Sequence, residues 1–152
     1  MIDIVVTSKS NEINLEKTLM SIYLQEINVP YIVTIIGEKI NKKIIDKYNS
    51  YFKINYIETK EKKIDIKKLV QESTFEPYIV FIDTNHLFYN VGTLIYLYEK
   101  AIRENTNIQG IILINDDMKR DNLNGVIYKR ELLNTNDFFE ANRYICINTE
   151  KE

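Results

Sequence analysis

The chain has 152 residues, of which 45% are hydrophobic and 28% charged, a balance that is typical of a globular protein and excludes the disordered class. At this length we expect one domain, residues 1–152, with a core of its own. The formal net charge of -2 gives no electrostatic reason for the chain to bind nucleic acid or an anionic membrane.

Cysteine content and hydropathy predict the compartment. Cys146 is the only cysteine, so an intramolecular disulfide and a thiolate metal site are both excluded. No apolar run approaches the roughly 20 residues that span a bilayer, and the first residues lack the basic start and apolar region of a secretory signal. We therefore expect a soluble cytoplasmic protein, or one incorporated into an assembly made in the cytoplasm.

The first third of the chain predicts a strand, a helix and a second strand. A β-branched run at residues 2–6 predicts the first strand, and residues 31–36 predict the second, which Gly37 ends. Between them apolar residues recur at helical spacing, with Asn14 placed to cap the helix. These apolar residues are Leu15, Leu19, Ile22 and Tyr23.

The next elements continue the alternation. Residues 54–57 predict a third strand, and residues 64–72 predict an amphipathic third helix. The second helix, which precedes that strand, is predicted from the apolar stripe of Ile40, Ile44, Ile45 and Tyr48.

Residues 78–83 form a solid apolar run that ends at Asp83 and is followed by Thr84 and Asn85. Such a run is typical of a strand that is buried on both faces of a parallel sheet. Side chains at the carboxyl end of such a strand reach the ligand crevice of an open α/β sheet. Asp83 is therefore the first candidate for chemistry.

The rest of the chain predicts a long helix at residues 91–105, with Asn90 as its cap, and strands at residues 111–114, 125–128 and 144–148. Strands that alternate with helices predict an α/β fold, with a mostly parallel, right-handed sheet and helices on both faces. A glycine-rich dinucleotide turn and a P-loop are both absent from the sequence.

Two segments resemble family 2 glycosyltransferases. The strand at residues 78–83 is similar to the family's E-Y-I-x-F-L-D-A-D strand, and the separation of the two segments suits that family. The first segment is similar to a strand ending in P-T-Y-N-E and a helix reading L-x-x-T-L-x-S-I-x-x-Q. It comprises IDIVVT at residues 2–7, Asn11 and Glu12, LEKTL at residues 15–19, and Ser21, Ile22 and Gln25. A later segment, from Gly125 to Glu140, is faintly similar to the family's acceptor side.

The resemblance implies a single glycosyltransferase A-like domain, the fold of nucleotide-diphospho-sugar transferases. It places Thr7, Glu12 and Glu38 near the nucleotide of a nucleotide-sugar. In the family, the second strand ends in Asp-Asp-Gly-Ser, whose first carboxylate contacts the base. Here residues 36–39 read IGEK, so Glu38 is the one acid that can serve.

The resemblance also implies a Mn²⁺ or Mg²⁺ ion that bridges the protein to the diphosphate, with Asp83, Asn85 and His86 as its candidate ligands. Divalent ions of this kind prefer anionic oxygen ligands. The family's second carboxylate is replaced by the amide of Asn85, which keeps an oxygen but removes a charge. We therefore expect weaker metal binding.

A general base is the third altered part. Inverting members of the family use the Asp of a late Glu-Asp motif to accept the proton of the acceptor hydroxyl. No Glu-Asp follows Phe139 here. Glu140 is the candidate base, with Glu150 as the other nearby acid, and each is better explained as a solvated surface acid. The adjacent acids Asp116 and Asp117 are better explained as an exposed loop.

Two hypotheses follow. In one, the protein is a small active glycosyltransferase that moves a sugar from a nucleotide-sugar to an acceptor hydroxyl. In the other, the domain has lost catalysis and acts as a binding or assembly module, through a protein partner or through self-assembly, for instance in a virus particle. The sequence favours the second, because the nucleotide carboxylate, the metal carboxylate and the base are all altered.

Overall fold

The structure is a computed structural model that describes residues 1–8, 12–60, 63–84, 86–88, 90–104, 126–130 and 144–146. The helices in these ranges are α1 (Glu12–Tyr23), α2 (Lys42–Asn49), α3 (Ile66–Ser73) and α4 (Thr93–Glu104). The strands are β1 (Ile2–Ser8), β2 (Tyr31–Gly37), β3 (Lys53–Glu58), β4 (Lys63–Asp65), β5 (Tyr78–Asp83), β6 (Val126–Lys129) and β7 (Tyr144–Cys146).

The main sheet has the strand order β3-β2-β1-β5-β6. The first four of these strands are parallel, and β6 runs antiparallel to β5 at the edge. A separate antiparallel pair is formed by β4 and β7. The predicted α/β fold with a mostly parallel sheet is confirmed.

One face of the sheet carries the main core. Successive side chains of a strand point to opposite sides, so alternate residues of β1 point to this face. They are Ile2, Ile4 and Val6, and all three are fully buried. They pack in one cluster with α1, α2 and α4, whose main contributors are Leu15, Leu19, Ile22, Ile44, Tyr48, Leu94 and Leu97.

The opposite face is covered as well. Five apolar residues are buried but lie outside that cluster. They are Val5, Ile36, Ile79 and Phe81 of the sheet and Val70 of α3. A right-handed crossover that returns from β3 to β5 has to pass over this second face. Helices therefore lie on both faces, as predicted.

The buried carboxylate of Asp3 holds the start of β5. Its Oδ2 accepts hydrogen bonds from the backbone N–H groups of Phe75, at 3.0 Å, and Glu76, at 2.8 Å. The guanidinium of Arg130 donates to the carbonyl of Glu76 at 3.1 Å. The one polar interruption of β1 is thus satisfied at the amino end of the sheet.

The second strand ends at Gly37, as predicted, with Gly37 itself paired to Ser8. Two other local predictions were wrong. Asn14 lies inside α1, which already begins at Glu12, so it does not cap the helix. Residues 64 and 65 lie in β4 and not in a helix, since β4 pairs with β7, a contact that local periodicity cannot predict.

The predicted strand at residues 111–114 lies outside the described residues. In the described part of the chain, no helix is long and apolar enough to cross a membrane.

Candidate functional site

The carboxyl ends of β1 and β5 meet where the strand order reverses. The chain builds β1, β2 and β3 outward in one direction and then places β5 on the other side of β1. Open α/β sheets bind ligands in the crevice at such a point. Thr7 and Asp83 are partners in the register of these two strands, so their side chains lie side by side on the face opposite α1.

The carboxylate of Asp83 contacts the imidazole of His86. Asp83 Oδ1 lies 2.5 Å from His86 Nδ1, and the two side chains are only 11% and 10% exposed. The backbone N–H of His86 also donates to the carbonyl of Asp83 at 3.0 Å. The acid that the sequence singled out therefore forms a compact, largely buried pair with the only histidine of the chain.

Glu38 lies one strand further away. It follows Gly37, the register partner of Ser8. A Cβ atom on Gly37 would come within 2.9 Å of the Cβ of Ser8, so glycine permits this close approach of the strands. Because neighbouring strands are about 4.8 Å apart, Glu38 and Asp83 extend from strands separated by roughly 10 Å, on either side of β1.

Several predicted site residues cannot be located in this arrangement. The side chain of Glu12, the first residue of α1, lies outside the described part of the chain. The candidate ligand Asn85, the candidate bases Glu140 and Glu150, and the acids Asp116 and Asp117 are also outside it. The structure therefore brings together Thr7, Asp83 and His86.

The described donors do not, as arranged, fit a divalent ion. An ion that is bound by both Asp83 and His86 at about 2.1 Å would hold the two donor atoms roughly 3 Å apart or more. Their separation is 2.5 Å, which leaves no room for an ion between them. Among the described residues there is also no group of three or more His, Cys, Asp or Glu side chains that could hold a metal.

Buried polar side chains on α1 and just after its end hold the segment that follows β5. The hydroxyl of Thr18 donates to the carbonyl of His86 at 2.7 Å, and the hydroxyl oxygen of Ser21 accepts from the N–H of Phe88 at 3.0 Å. Thr18, Ser21 and Gln25 are all buried. Thr18 and Ser21 are three residues apart and lie on one side of α1, and Gln25 follows two residues after the helix ends. We call these three residues the polar flank of α1.

Gln25 connects α1 to α4. Its amide nitrogen donates to the carbonyl of Asn90 at 2.8 Å, and its amide oxygen accepts from the N–H of Leu94 at 2.9 Å. Leu94 is in the first turn of α4, where backbone N–H groups have no partner within the helix. Asn90, the predicted cap, instead accepts from the N–H of Gly92 before the helix begins. The cap prediction therefore missed Gln25, a partner that lies just after α1 and far away along the chain.

The residues of the polar flank belong to the segment that resembles T-L-x-S-I-x-x-Q, but the resemblance implied no role for them. A signal was present, because Thr18 and Ser21 are polar residues beside the apolar side of an amphipathic helix, and Gln25 follows soon after the helix ends. Polar groups at buried positions need hydrogen-bond partners.

A groove of about 570 Å³ lies along the outer side of α1. Its apolar lining includes Ile13, Met20, Leu24, Leu87, Phe88 and Val91. At its border the ammonium of Lys47 contacts Glu16 at 2.9 Å, and this hydrogen bond raises the pKa of Lys47. Thr7, Glu38 and Asp83 do not line this groove, so it is separate from the site at the end of the sheet.

Comparison with solved structures identifies the fold. The chain superposes on TarS of S. aureus, residues 1–349, with a TM-score of 0.73 and 14% identity, covering 90% of this chain and 49% of that one. It superposes on the mannosyltransferase PcManGT from Pyrobaculum calidifontis, in complex with GDP-Man and Mn²⁺, with a TM-score of 0.68 and 14% identity, covering 88% and 45%. The glycosyltransferase GlyE of Streptococcus pneumoniae TIGR4 gives a TM-score of 0.60 and 12% identity, covering 91% and 36%.

The chain thus has a glycosyltransferase A-like fold and spans about half or less of the length of these structures. TarS has also been solved with UDP, and that structure matches with a TM-score of 0.69 at 14% identity, covering 90% of this chain and 48% of that one. No protein-family model matches the sequence, and no curated protein does.

Proposed function

We propose that the chain is a glycosyltransferase-like binding module, which holds a nucleotide-sugar at the carboxyl ends of β1 and β5 but does not transfer the sugar. The observation that carries this proposal is the Asp83–His86 pair beside Thr7, at the point where the strand order reverses. The UDP bound to TarS and the GDP-Man bound to the mannosyltransferase support this class of ligand.

The nucleotide lies, in this proposal, along the ends of β1 and β2. Thr7, Glu12 and Glu38 contact its base and ribose, and the diphosphate lies over β5 near Asp83. Thr7 and Glu38 are half-buried at this end of the sheet, which leaves part of each side chain open to a ligand.

Loss of transfer is supported by the state of the Asp83 carboxylate. A metal ion that binds to Asp83 Oδ1 has to compete with the imidazole of His86, which already contacts that oxygen. Asn85 stands in place of a second carboxylate, and this lowers the affinity for a metal ion further, since an amide carries no charge. For the alternative, an active glycosyltransferase, the role of Glu140 as the base stays a prediction.

Thermal unfolding with a panel of UDP- and GDP-sugars tests the binding. A ligand at 100 times its Kd stabilises a protein by about 2.7 kcal/mol, which raises the Tm of a domain of this size by roughly 5–10 °C. We expect Asp83→Ala to remove the shift, because it releases the His86 imidazole that Asp83 holds at this end of the sheet. Asp46→Ala is the matched control, because the Asp46 side chain is 63% exposed on α2, away from this end of the sheet, and the shift should be kept.

Parallel samples with Mn²⁺ and with EDTA separate the metal from the nucleotide. The arrangement of Asp83 and His86 predicts a similar shift in both samples. A shift that needs Mn²⁺ would support the predicted metal ligands instead. No shift with any nucleotide-sugar in either sample would refute the binding, and release of free or transferred sugar would refute the loss of catalysis.

A second candidate function is an assembly module that binds a protein partner or further copies of itself. Four apolar side chains around the groove on α1 are strongly exposed: Ile13 at 68%, Met20 at 37%, Leu24 at 54% and Val91 at 46%. Contiguous exposed apolar surface of this kind is typical of interaction sites.

A further inference from the structure

His86 is held by its backbone from two directions. Its N–H donates to the carbonyl of Asp83 at 3.0 Å, and its carbonyl accepts from the hydroxyl of Thr18 at 2.7 Å. The first bond is local, whereas the second joins residues that are 68 positions apart in the chain. With both backbone groups fixed, the Cα–Cβ direction of His86 is fixed relative to the Asp83 carboxylate.

Thr18 is itself rigidly placed. It is 1% exposed, in the middle of α1, and the carbonyl of Thr18 accepts a hydrogen bond from the hydroxyl of Ser21 at 2.7 Å. Leu19, the next residue of α1, belongs to the main core. The hydroxyl that holds His86 therefore belongs to a helix anchored on the sheet.

Hydrogen bonds hold the segment between Asp83 and α4 at several described residues, among them Thr84, whose N–H donates to the carbonyl of Thr7. Residues 86–88 belong to neither a helix nor a strand, and the bonds from Ser21 and Gln25 hold the segment further along, at Phe88 and Asn90. Among the described residues, Thr18 is the member of the polar flank whose hydrogen bond reaches His86 itself.

We infer that Thr18 is a positioning residue for the ligand site, because its hydroxyl keeps the His86 imidazole on the carboxylate of Asp83. The consequence for binding rests on the proposed function, whereas the position of the imidazole does not. Loss of one such hydrogen bond corresponds to a change in affinity of about two- to tenfold.

The single histidine makes the position directly measurable. In long-range ¹H–¹⁵N NMR spectra of the imidazole, the native protein should give one set of signals, with the Nδ1 proton protected by its short bond to Asp83. Thr18→Val removes the hydroxyl but keeps the shape of the side chain, and we expect it to lose this protected signal. Thr18→Ser restores a hydroxyl and should recover the signal.

Thr74→Val is the matched control. Thr74 is also 1% exposed, and its hydroxyl also donates to a backbone carbonyl, that of Val70 at 2.6 Å. It lies before β5, at the opposite end of the sheet from Asp83. Thr74→Val should therefore lower the stability without changing the His86 signals.

Two outcomes overturn the inference. One is an unchanged His86 spectrum in Thr18→Val, and the other is an equal change in Thr74→Val. In the same samples, the Kd for the best nucleotide-sugar should rise about two- to tenfold in Thr18→Val and stay unchanged in Thr74→Val. Absence of nucleotide binding in the native protein would refute the proposed function, while the NMR comparison would still decide the role of Thr18.

Discussion

Thr34 lies in the middle of β2 with its hydroxyl oxygen buried, and among the described residues this oxygen has no hydrogen-bond partner. It points to the second face of the sheet, where Val5 is its register partner in β1. A buried hydroxyl without a partner costs about 1–3 kcal/mol relative to an apolar group of the same shape. Thr34 therefore differs from Asp3, whose buried carboxylate is fully used.

Thr34→Val should stabilise the protein. Valine has the same shape and lacks the unsatisfied hydroxyl, so we expect the free energy of unfolding to rise by about 1 kcal/mol in urea denaturation. Thr74→Val should instead lower it by about 1–3 kcal/mol, because the hydroxyl of Thr74 donates to Val70 and accepts from Arg130. A destabilised Thr34→Val variant would contradict the absence of a partner.

At the scale of the element, α1 shows how one helix can contact three neighbours and leave its fourth side exposed. At about 100° per residue, its apolar inner side packs on the sheet and its polar flank binds the segment after β5. On the other flank Tyr23 stacks on Tyr51, with ring centroids 4.5 Å apart, and Glu16 contacts Lys47 of α2. The outer side carries the exposed residues of the groove.

Gln25→Ala tests the connection between α1 and α4. The substitution leaves the carbonyl of Asn90 and the N–H of Leu94 without their partner, so we expect a loss of about 2–4 kcal/mol in the free energy of unfolding. Amide hydrogen exchange should accelerate at Leu94 before it does in β1. Asn28→Ala, at an exposed amide shortly after α1, is the control and should change stability by less than about 0.5 kcal/mol.

At the scale of the whole molecule, a binding module that acts alone and an assembly module differ in whether the apolar surface on α1 forms a contact with another molecule. Met20 lies in the groove that this surface lines. If copies associate through it, the native protein will show concentration-dependent mass in analytical ultracentrifugation. Met20→Glu should weaken the association about tenfold or more, because a carboxylate would be buried at the contact.

Ile102→Glu is the control for this test. Ile102 is 49% exposed on α4 and does not line the groove, so its substitution should leave the association unchanged. A strictly monomeric native protein at high concentration would contradict self-assembly through α1, while leaving the nucleotide proposal untouched.

Much of the fold was predictable because it follows from local patterns. The buried strand at residues 78–83 was predicted with the bounds it has, since a run of apolar residues between polar ends has few alternatives. The placement of Asp83 at the carboxyl end of a central strand followed from the same run. The alternation of strands and helices was sufficient to predict a parallel sheet.

The sequence by itself therefore determined the class of fold and the acid at the carboxyl end of β5, because periodicity and chain direction are local properties. Only the tertiary structure decided that His86 contacts Asp83, that Thr18 and Gln25 hold a segment about 65 to 70 residues away, and that β4 pairs with β7. These contacts depend on which buried polar groups meet once the helices pack on the sheet. That outcome is set by satisfying hydrogen bonds across the core and is not contained in the spacing of residues along the chain.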